Sequence, residues 1–568
     1  MEGTAYPPPA RGYRLLIPLS FHNACAQKGH SMKKQNFLKG SLILACSALA
    51  AKLLGALFRI PLTNLLGGTG MGYFSCAYGL FLPLYAVFVT GLSTAVARCT
   101  ATCAACGDMA GALRIRSGAR RIFCIAGLCG SIAAMLAARA FAVHAAGSAQ
   151  AYPAVLAITP AVLLSCLTAV ERGYHEGLCS MYPTAVSQAV EALCKLVCGL
   201  WLCHIVLDSS ALPPIFDNFS REALAAAAAI LGVTLSTAAG WLCTLLFRTE
   251  IPQQSTDGSV LPMRKILRML LSVMIPVALG SLVTNLTALI DLVTVIRMLS
   301  RRLAQDAQSF YAGAALSPDI PPSEAAAFIY GSFMGLSVTV CNLVPSLTNM
   351  FGKGVLPCTA QAWARGDRKK AAEYAAQSLV LTGLAAVPAA CGIFVLPQAI
   401  LEFLYAGRPE EIAAACMGLR SLAPGVILMC LSFPVFSLLQ AIGRADLPVK
   451  LMAAGAAVKA AGNFLLIPHF YTAGAAISTD LCYAVILVPA LFLLRRELGE
   501  ALHVGRAFLG IGYASLMCAA SAWLCYSRIL RYLPQRLSLL TAIACGGAVY
   551  VLIVYLVMGK TLRGRFRA

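Results

Sequence analysis

Apolar runs of about twenty residues follow one another along almost the whole chain, and that repetition leaves few folds open. A run of this length crosses the ~30 Å hydrocarbon core of a bilayer as an α-helix. The other structure that satisfies its backbone inside lipid is a closed β-barrel, and the strict apolar/polar alternation a barrel needs is absent. The runs fall at roughly 37–58, 73–97, 121–141, 154–171, 183–207, 223–247, 265–296, 325–350, 374–397, 412–440, 448–468, 472–494, 506–527 and 537–558. They predict an all-α polytopic membrane protein of about fourteen helices. Composition agrees: 59% of residues are hydrophobic and 12% charged, about half the charge of a soluble domain.

The formal net charge of +21 would suit nucleic acid, but its placement does not. With the N-terminus inside, about thirty of the 44 Lys and Arg residues fall in cytoplasmic connections, as the positive-inside rule expects. They cluster at Lys33/Lys34/Lys39, Arg114/Arg116/Arg120/Arg121, Arg264/Lys265/Arg268, Arg365/Arg368/Lys369/Lys370 and Lys560/Arg563/Arg565/Arg567. Both termini are then cytoplasmic and no nucleic-acid partner is implied. Arg297/Arg301/Arg302 and Arg528/Arg531/Arg536 lie on the wrong side of this rule.

Residues 1–31 carry Tyr6-Pro7-Pro8-Pro9 and no signal-peptide plan, and Met32-Lys33-Lys34 leads straight into the first apolar run. The expectation is a disordered or artefactual extension ahead of a start at Met32. Most of the 23 cysteines sit singly in apolar runs, where Cys behaves as a small hydrophobe. Cys99-x3-Cys103-x2-Cys106 has a cluster-binding spacing, but no barrel domain accompanies it to hold a cofactor. Gly559-Lys560-Thr561 echoes a phosphate loop, yet Val554 stands where its first glycine belongs. No catalytic nucleophile–base pair emerges, so the chain reads as a transporter without cofactor rather than an enzyme.

Ionisable side chains inside a bilayer are costly and mark function. Lys52 and Arg59 lie seven apart on one helical face, with Gly55 between them. Thr184, Gln188, Glu191 and Lys195 form a second stripe; Thr284, Thr287, Asp291 and Thr294 a third. Thr339, Asn342, Ser346 and Asn349 make a fourth, and Lys459 with Asn463 a fifth. Asp480 is a further acid in an apolar run. Five stripes of helical period imply a shared hydrated cavity. Plainer readings stand beside this one. Glu191 and Lys195 at i,i+4 can form a self-neutralising pair; Arg59 can snorkel to headgroups; the Asn/Ser stripe can glue helices together.

Gly177, Pro183 and Lys195 recur as Gly443, Pro448 and Lys459, and Gly72-Tyr73 as Tyr330-Gly331, at offsets near 260 residues. This divides the chain into an extension (1–31), an N-lobe of helices 1–6 (32–250), a C-lobe of helices 7–12 (260–498) and a terminal pair with a basic tail (499–568), a recurrent transporter plan.

Lys39-Gly40, Lys52-Leu53-Leu54-Gly55, Arg59-Ile60-Pro61-Leu62, Leu66-Gly67 and Gly70-Met71-Gly72-Tyr73 resemble the opening of the stage V sporulation protein B family. So do Arg172-Gly173-Tyr174, Pro183-Thr184-Ala185, Ser187-Gln188 with Glu191, Asp291 with Arg301-Arg302-Leu303, and Tyr330-Gly331. Gln440 with Gly443-Arg444, then Lys459, Asn463, Pro468 and Gly474-Ala475-Ala476 complete the match, which runs from about Met32 to the end of the twelfth span. The family belongs to the multidrug/oligosaccharidyl-lipid/polysaccharide flippase superfamily, with the MurJ lipid II flippases and Wzx-type exporters. Two departures stand out: Ala51-Lys52 replaces a usual Ser-Arg, and Glu176 and Cys179 sit in a usually Gln-rich connection.

The resemblance implies two lobes forming a V in a bacterial cytoplasmic membrane and alternating access for an undecaprenyl-(pyro)phosphate-linked saccharide, such as a peptidoglycan, spore-cortex or polysaccharide precursor. Lys52, Arg59, Arg301, Arg302, Lys195 and Lys459 are the expected substrate-binding residues. Gln188, Glu191, Asp291, Asn342, Asn463 and Asp480 are the expected cavity or coupling groups. Membrane lipids are partners, with room for a coupling ion (Na+ or H+) and for cell-wall synthesis proteins. Two rivals stay open: a cation-coupled multidrug antiporter of the same superfamily, and a non-transporting scaffold for envelope or spore assembly.

Overall fold

The computed structural model describes residues 37–105, 108–145, 147–209, 217–247, 263–314, 316–318, 320–444, 446–499, 505–529 and 532–566. The expected extension at 1–31, the pair Lys33/Lys34, and Cys106 lie outside these residues, as does the side chain of Lys52.

The first helix, α1 (Phe37–Tyr85), is two rods joined at Gly67, which alone leaves helical geometry (φ 66°, ψ −170°). The chain reverses there: the rings of Phe58 and Phe74 lie 6.2 Å apart, whereas sixteen residues of straight helix would span about 24 Å. Only glycine takes this φ cheaply. The apolar runs read from the sequence stop at 58 and resume at 73; one left-handed residue makes the turn, so both rods run up to it. The second rod continues through a π turn at Ala86–Thr90 into α2 (Gly91–Ala105).

Next come α3 (Met109–His144), capped by Asp108 accepting from the Gly111 N–H, and the short α4 (Tyr152–Ile158). Then α5 (Pro160–Gly177), α6 (Tyr182–Asp208) and α7 (Arg221–Leu246) follow. Proline near the start of α5 and α6 costs no hydrogen bond, because those N–H groups have no intrahelical partner. These rods pack as one bundle, α6 on α7 and α1, α5 on α2 and α3.

The second bundle opens with α8 (Met263–Gln305) and the short α9 (Ala307–Gly313). α10 (Pro322–Ser332) passes through a π turn at Phe333–Ser337 into α11 (Val338–Ala364). It continues with α12 (Arg368–Val395), the short α13 (Pro397–Leu404), α14 (Pro409–Ala441) and α15 (Asp446–Leu498). α15 is again two rods, broken at Tyr471 (φ 50°, ψ −124°). α16 (Gly505–Ile529) and α17 (Gln535–Phe566) pack on each other, and α16 docks on α12.

Eleven helices among the described residues are long and apolar enough to cross a membrane. Dividing the two broken ones and adding α8, whose apolar stretch Ile266–Ile275 is short, gives the fourteen rods expected. Large apolar side chains such as Leu136 (80% exposed), Phe492 (68%) and Leu556 (69%) point outward, a surface stable only against lipid. The chain is a multi-pass membrane protein.

Two helix–helix contacts help to join the bundles. α8 packs its first half (Ile266, Leu270, Met274) into the apolar cluster of α2 and α5, while its second half bonds to α15. α10 meets α1 backbone to backbone: a Cβ placed on Gly331 would overlap the Gly68 carbonyl and Gly72.

Candidate functional site

A cavity of about 170 Å³ lies where the bundles meet. Its walls come from both rods of α1 (Gly55, Phe58, Arg59; Phe74, Ser75, Tyr78), from Lys195 on α6, and from Ala288, Tyr330 and Met334 of the second bundle. The reversal at Gly67 puts Phe58 and Arg59 opposite Phe74 and Tyr78, and seven-residue spacing puts Gly55 and Lys52 on the side of Arg59. The Lys52 backbone lies one heptad before Arg59 in the same rod.

Among the described residues, two cations face this space and no carboxylate lines it. Lys195 Nζ donates to Tyr78 Oη at 2.8 Å and lies 5.1 Å from the Phe58 ring centre and 5.3 Å from that of Tyr78. Ring faces offset part of the cost of burying an ammonium, about 0.5–2 kcal/mol. Arg59 Nη2 donates to the Met334 carbonyl at 3.3 Å, while its Nε is buried without a protein partner. A buried donor left over beside an ammonium is an arrangement that an anionic oxygen completes.

Glu191 does not neutralise Lys195. It pairs with Arg172 of α5 at 2.7 Å, so the i,i+4 pair that the sequence allows is not formed. Gln188 accepts from Ser47 Oγ at 3.3 Å.

Lys459, Asp291 and Asn463 come together, but with one another. Lys459 Nζ lies 2.6 Å from Asp291 Oδ2, and Asn463 Nδ2 donates to Asp291 Oδ1 (3.1 Å) and Thr294 Oγ1 (2.8 Å). All four side chains are buried. This knot is neutral and ties α8 to α15; Lys459 reaches a carboxylate rather than the cavity. Arg301 is exposed and Arg302 half-buried at the far end of α8, and neither lines the cavity. Asn342 is half-buried on α11. Asp480 lies in α15 with Oδ1 buried and unpartnered. Cys99 and Cys103 are buried in the apolar cluster of α2.

Sequence reasoning missed Tyr78, Tyr330 and Arg172 as parts of this site. Tyr78 belongs to an aromatic ladder with Phe74 and Phe81 that reads as core. Tyr330 and Arg172 fall in quoted motifs, but nothing in their spacing says what they touch.

Comparisons with known proteins give the family. The family model described as polysaccharide biosynthesis protein matches residues 37–329, and the MatE model matches 332–465. Stage V sporulation protein B of Bacillus subtilis (strain 168) is 23% identical over 448 residues, covering 77% of this chain and 78% of that protein. Lipid II flippase MurJ of the same organism is 22% identical over 569 residues, covering 93% and 98%. A solved structure of lipid II flippase MurJ in an inward closed conformation superposes with a TM-score of 0.67 at 13% identity, over 92% of this chain and all of that one (100%). The chain belongs to the polysaccharide biosynthesis protein family, within the multidrug/oligosaccharidyl-lipid/polysaccharide superfamily.

Proposed function

We propose that this protein flips or exports an undecaprenyl-(pyro)phosphate-linked saccharide, a peptidoglycan, spore-cortex or polysaccharide precursor, by alternating access. The observation that carries the reading is the cavity with two cations and no acid. A diphosphate bears the charge and the acceptor oxygens that Lys195 and the free Arg59 Nε lack, and charge pairing strengthens where water is scarce. The reading also assigns Lys52, seven residues before Arg59 in the sequence, to the diphosphate. The saccharide extends into the space between the bundles and the lipid tail stays in the bilayer. The names of two relatives, a lipid II flippase and a sporulation protein, support this substrate class.

The termini are cytoplasmic in this reading and the Gly67 turn faces outward. Supporting it, Arg264, Arg365, Arg368 and Arg444 all lie at rod ends opposite that turn. A multidrug antiporter needs a carboxylate free to meet a cationic drug. Lys459 already occupies Asp291, and the acids with a buried oxygen lacking a hydrogen-bond partner among the described residues, Asp480 and Glu171, lie outside the cavity wall. Na+ or H+ coupling, if present, draws on the same acids, and cell-wall synthesis enzymes are the partners this substrate calls for.

The test is binding of undecaprenyl diphosphate to the purified full-length protein in nanodiscs. Arg59→Gln and Lys195→Gln should each weaken it by about tenfold, the value of one charge-assisted contact. Equal affinity in wild type and both variants would remove the diphosphate from this cavity.

A further inference from the structure

Glu191 and Lys195 share one helix at i,i+4, with the acid N-terminal to the base, the orientation that pairs most readily along a helix. Left to themselves they would neutralise each other. In the structure the carboxylate is turned the other way. Arg172 Nη2 holds Glu191 Oε2 at 2.7 Å, and Arg172 Nε and Nη2 donate to Ser187 Oγ at 3.1 and 2.7 Å. Ser187 Oγ in turn donates to the Gly240 carbonyl of α7 at 2.8 Å. α7 approaches so closely that a Cβ on Gly240 would lie 3.2 Å from Glu191 Cβ and 3.3 Å from Arg172 Nη2. Three helices thus clamp one carboxylate, and Lys195 is left with Tyr78 and two ring faces.

From this geometry we infer that Arg172 is a positioning residue: it sequesters Glu191 so that Lys195 stays an uncompensated cation for the substrate's diphosphate. This rests on the anion-cavity reading above. Arg172 does not line the cavity, so its route to the bound diphosphate runs through Glu191. Removing Arg172 frees Glu191 to swing one turn along the helix onto Lys195. Removing Glu191 as well makes Arg172 dispensable. A purely structural role for the Arg172–Glu191 pair predicts instead that Glu191→Gln is impaired as Arg172→Gln is, because either change strands the other partner.

The experiment is titration of undecaprenyl diphosphate into the full-length protein in nanodiscs, for wild type, Lys195→Gln, Arg172→Gln, Glu191→Gln and the double variant Arg172→Gln/Glu191→Gln. Arg172→Gln should bind about tenfold more weakly, and the double variant should return to within about threefold of wild type. Glu191→Gln alone should bind as wild type does. A double variant as weak as Arg172→Gln, or an Arg172→Gln protein of wild-type affinity, overturns the assignment while leaving the cavity reading intact. Lys195→Gln at wild-type affinity overturns both. If Arg172→Gln fails to accumulate, the double variant and Glu191→Gln decide, because the double variant strands neither partner of the pair: weak binding by either refutes the proposal.

Discussion

Arg408, which precedes α14, donates from Nε and Nη2 to the main-chain carbonyl of Asn64, at 3.1 and 2.9 Å, across the boundary between the two bundles. Nη2 also reaches the Leu65 carbonyl at 3.1 Å. These are the last carbonyls of the rod that ends at Gly67, groups with no partner of their own. Glu411 accepts from the Gly68 N–H, the first donor of the returning rod, at 3.1 Å, and Asn64 Nδ2 donates to the Leu404 carbonyl at 3.1 Å. The second bundle therefore caps both sides of the first bundle's turn. Any opening of the cavity toward the Gly67 face must break this set.

Arg408→Gln should accordingly shift the protein toward states open at that face. Each charge-assisted bond lost is worth about 1.5–3 kcal/mol against the closed state, and 1.4 kcal/mol is about tenfold in population. Spin labels flanking the Gly67 turn and the start of α10, read by pulsed electron–electron resonance, should report longer distances than in wild type. An unchanged distribution would deny the cap a role in closure.

Gly331→Val adds atoms where α10 and α1 already touch through their backbones. Neither chain can yield there, so the same spin-label pair should lengthen and transport should fall, while membrane abundance holds. Normal transport would show that this contact does not form in the working cycle.

The Asp291–Lys459 pair should behave as a buried structural tie. Either Asp291→Asn or Lys459→Met alone leaves a charge stranded and should cost about 3–5 kcal/mol, whereas the double variant should recover much of it. Thermal unfolding in detergent checks this; additive losses in the double variant would contradict it.

Replacing Cys99, Cys103 and Cys106 together with Ala should leave transport and abundance unchanged, because Cys99 and Cys103 pack as small apolar side chains in the α2 cluster. Iron-dependent absorbance in purified wild type, lost in that variant, would overturn this reading.

The fold was legible because lipid imposes one rule on every span, and run length reports it directly. Where rods end was less so: Gly67 and Tyr471 each reverse the chain at one residue, and apolar residues continue on both sides. The cavity was half legible. Helical spacing put Arg59 and Lys195 on inward stripes, and both line the cavity. Spacing could not say which charges meet across helices. Lys459 finds Asp291 and Glu191 finds Arg172, pairings between residues of different rods, the latter 19 apart in sequence, that no period within one helix encodes.

The central claim is that the Arg59–Lys195 cavity carries an anionic lipid-linked saccharide across the bilayer. Its most direct test is translocation of fluorescently labelled lipid II in vesicles reconstituted with wild type, Arg59→Lys, or the double variant Arg59→Ala/Lys195→Ala. Wild type should move the lipid, Arg59→Lys should retain much of the rate, and the double variant should lose at least about tenfold at equal protein content. A double variant that translocates at the wild-type rate would contradict the claim.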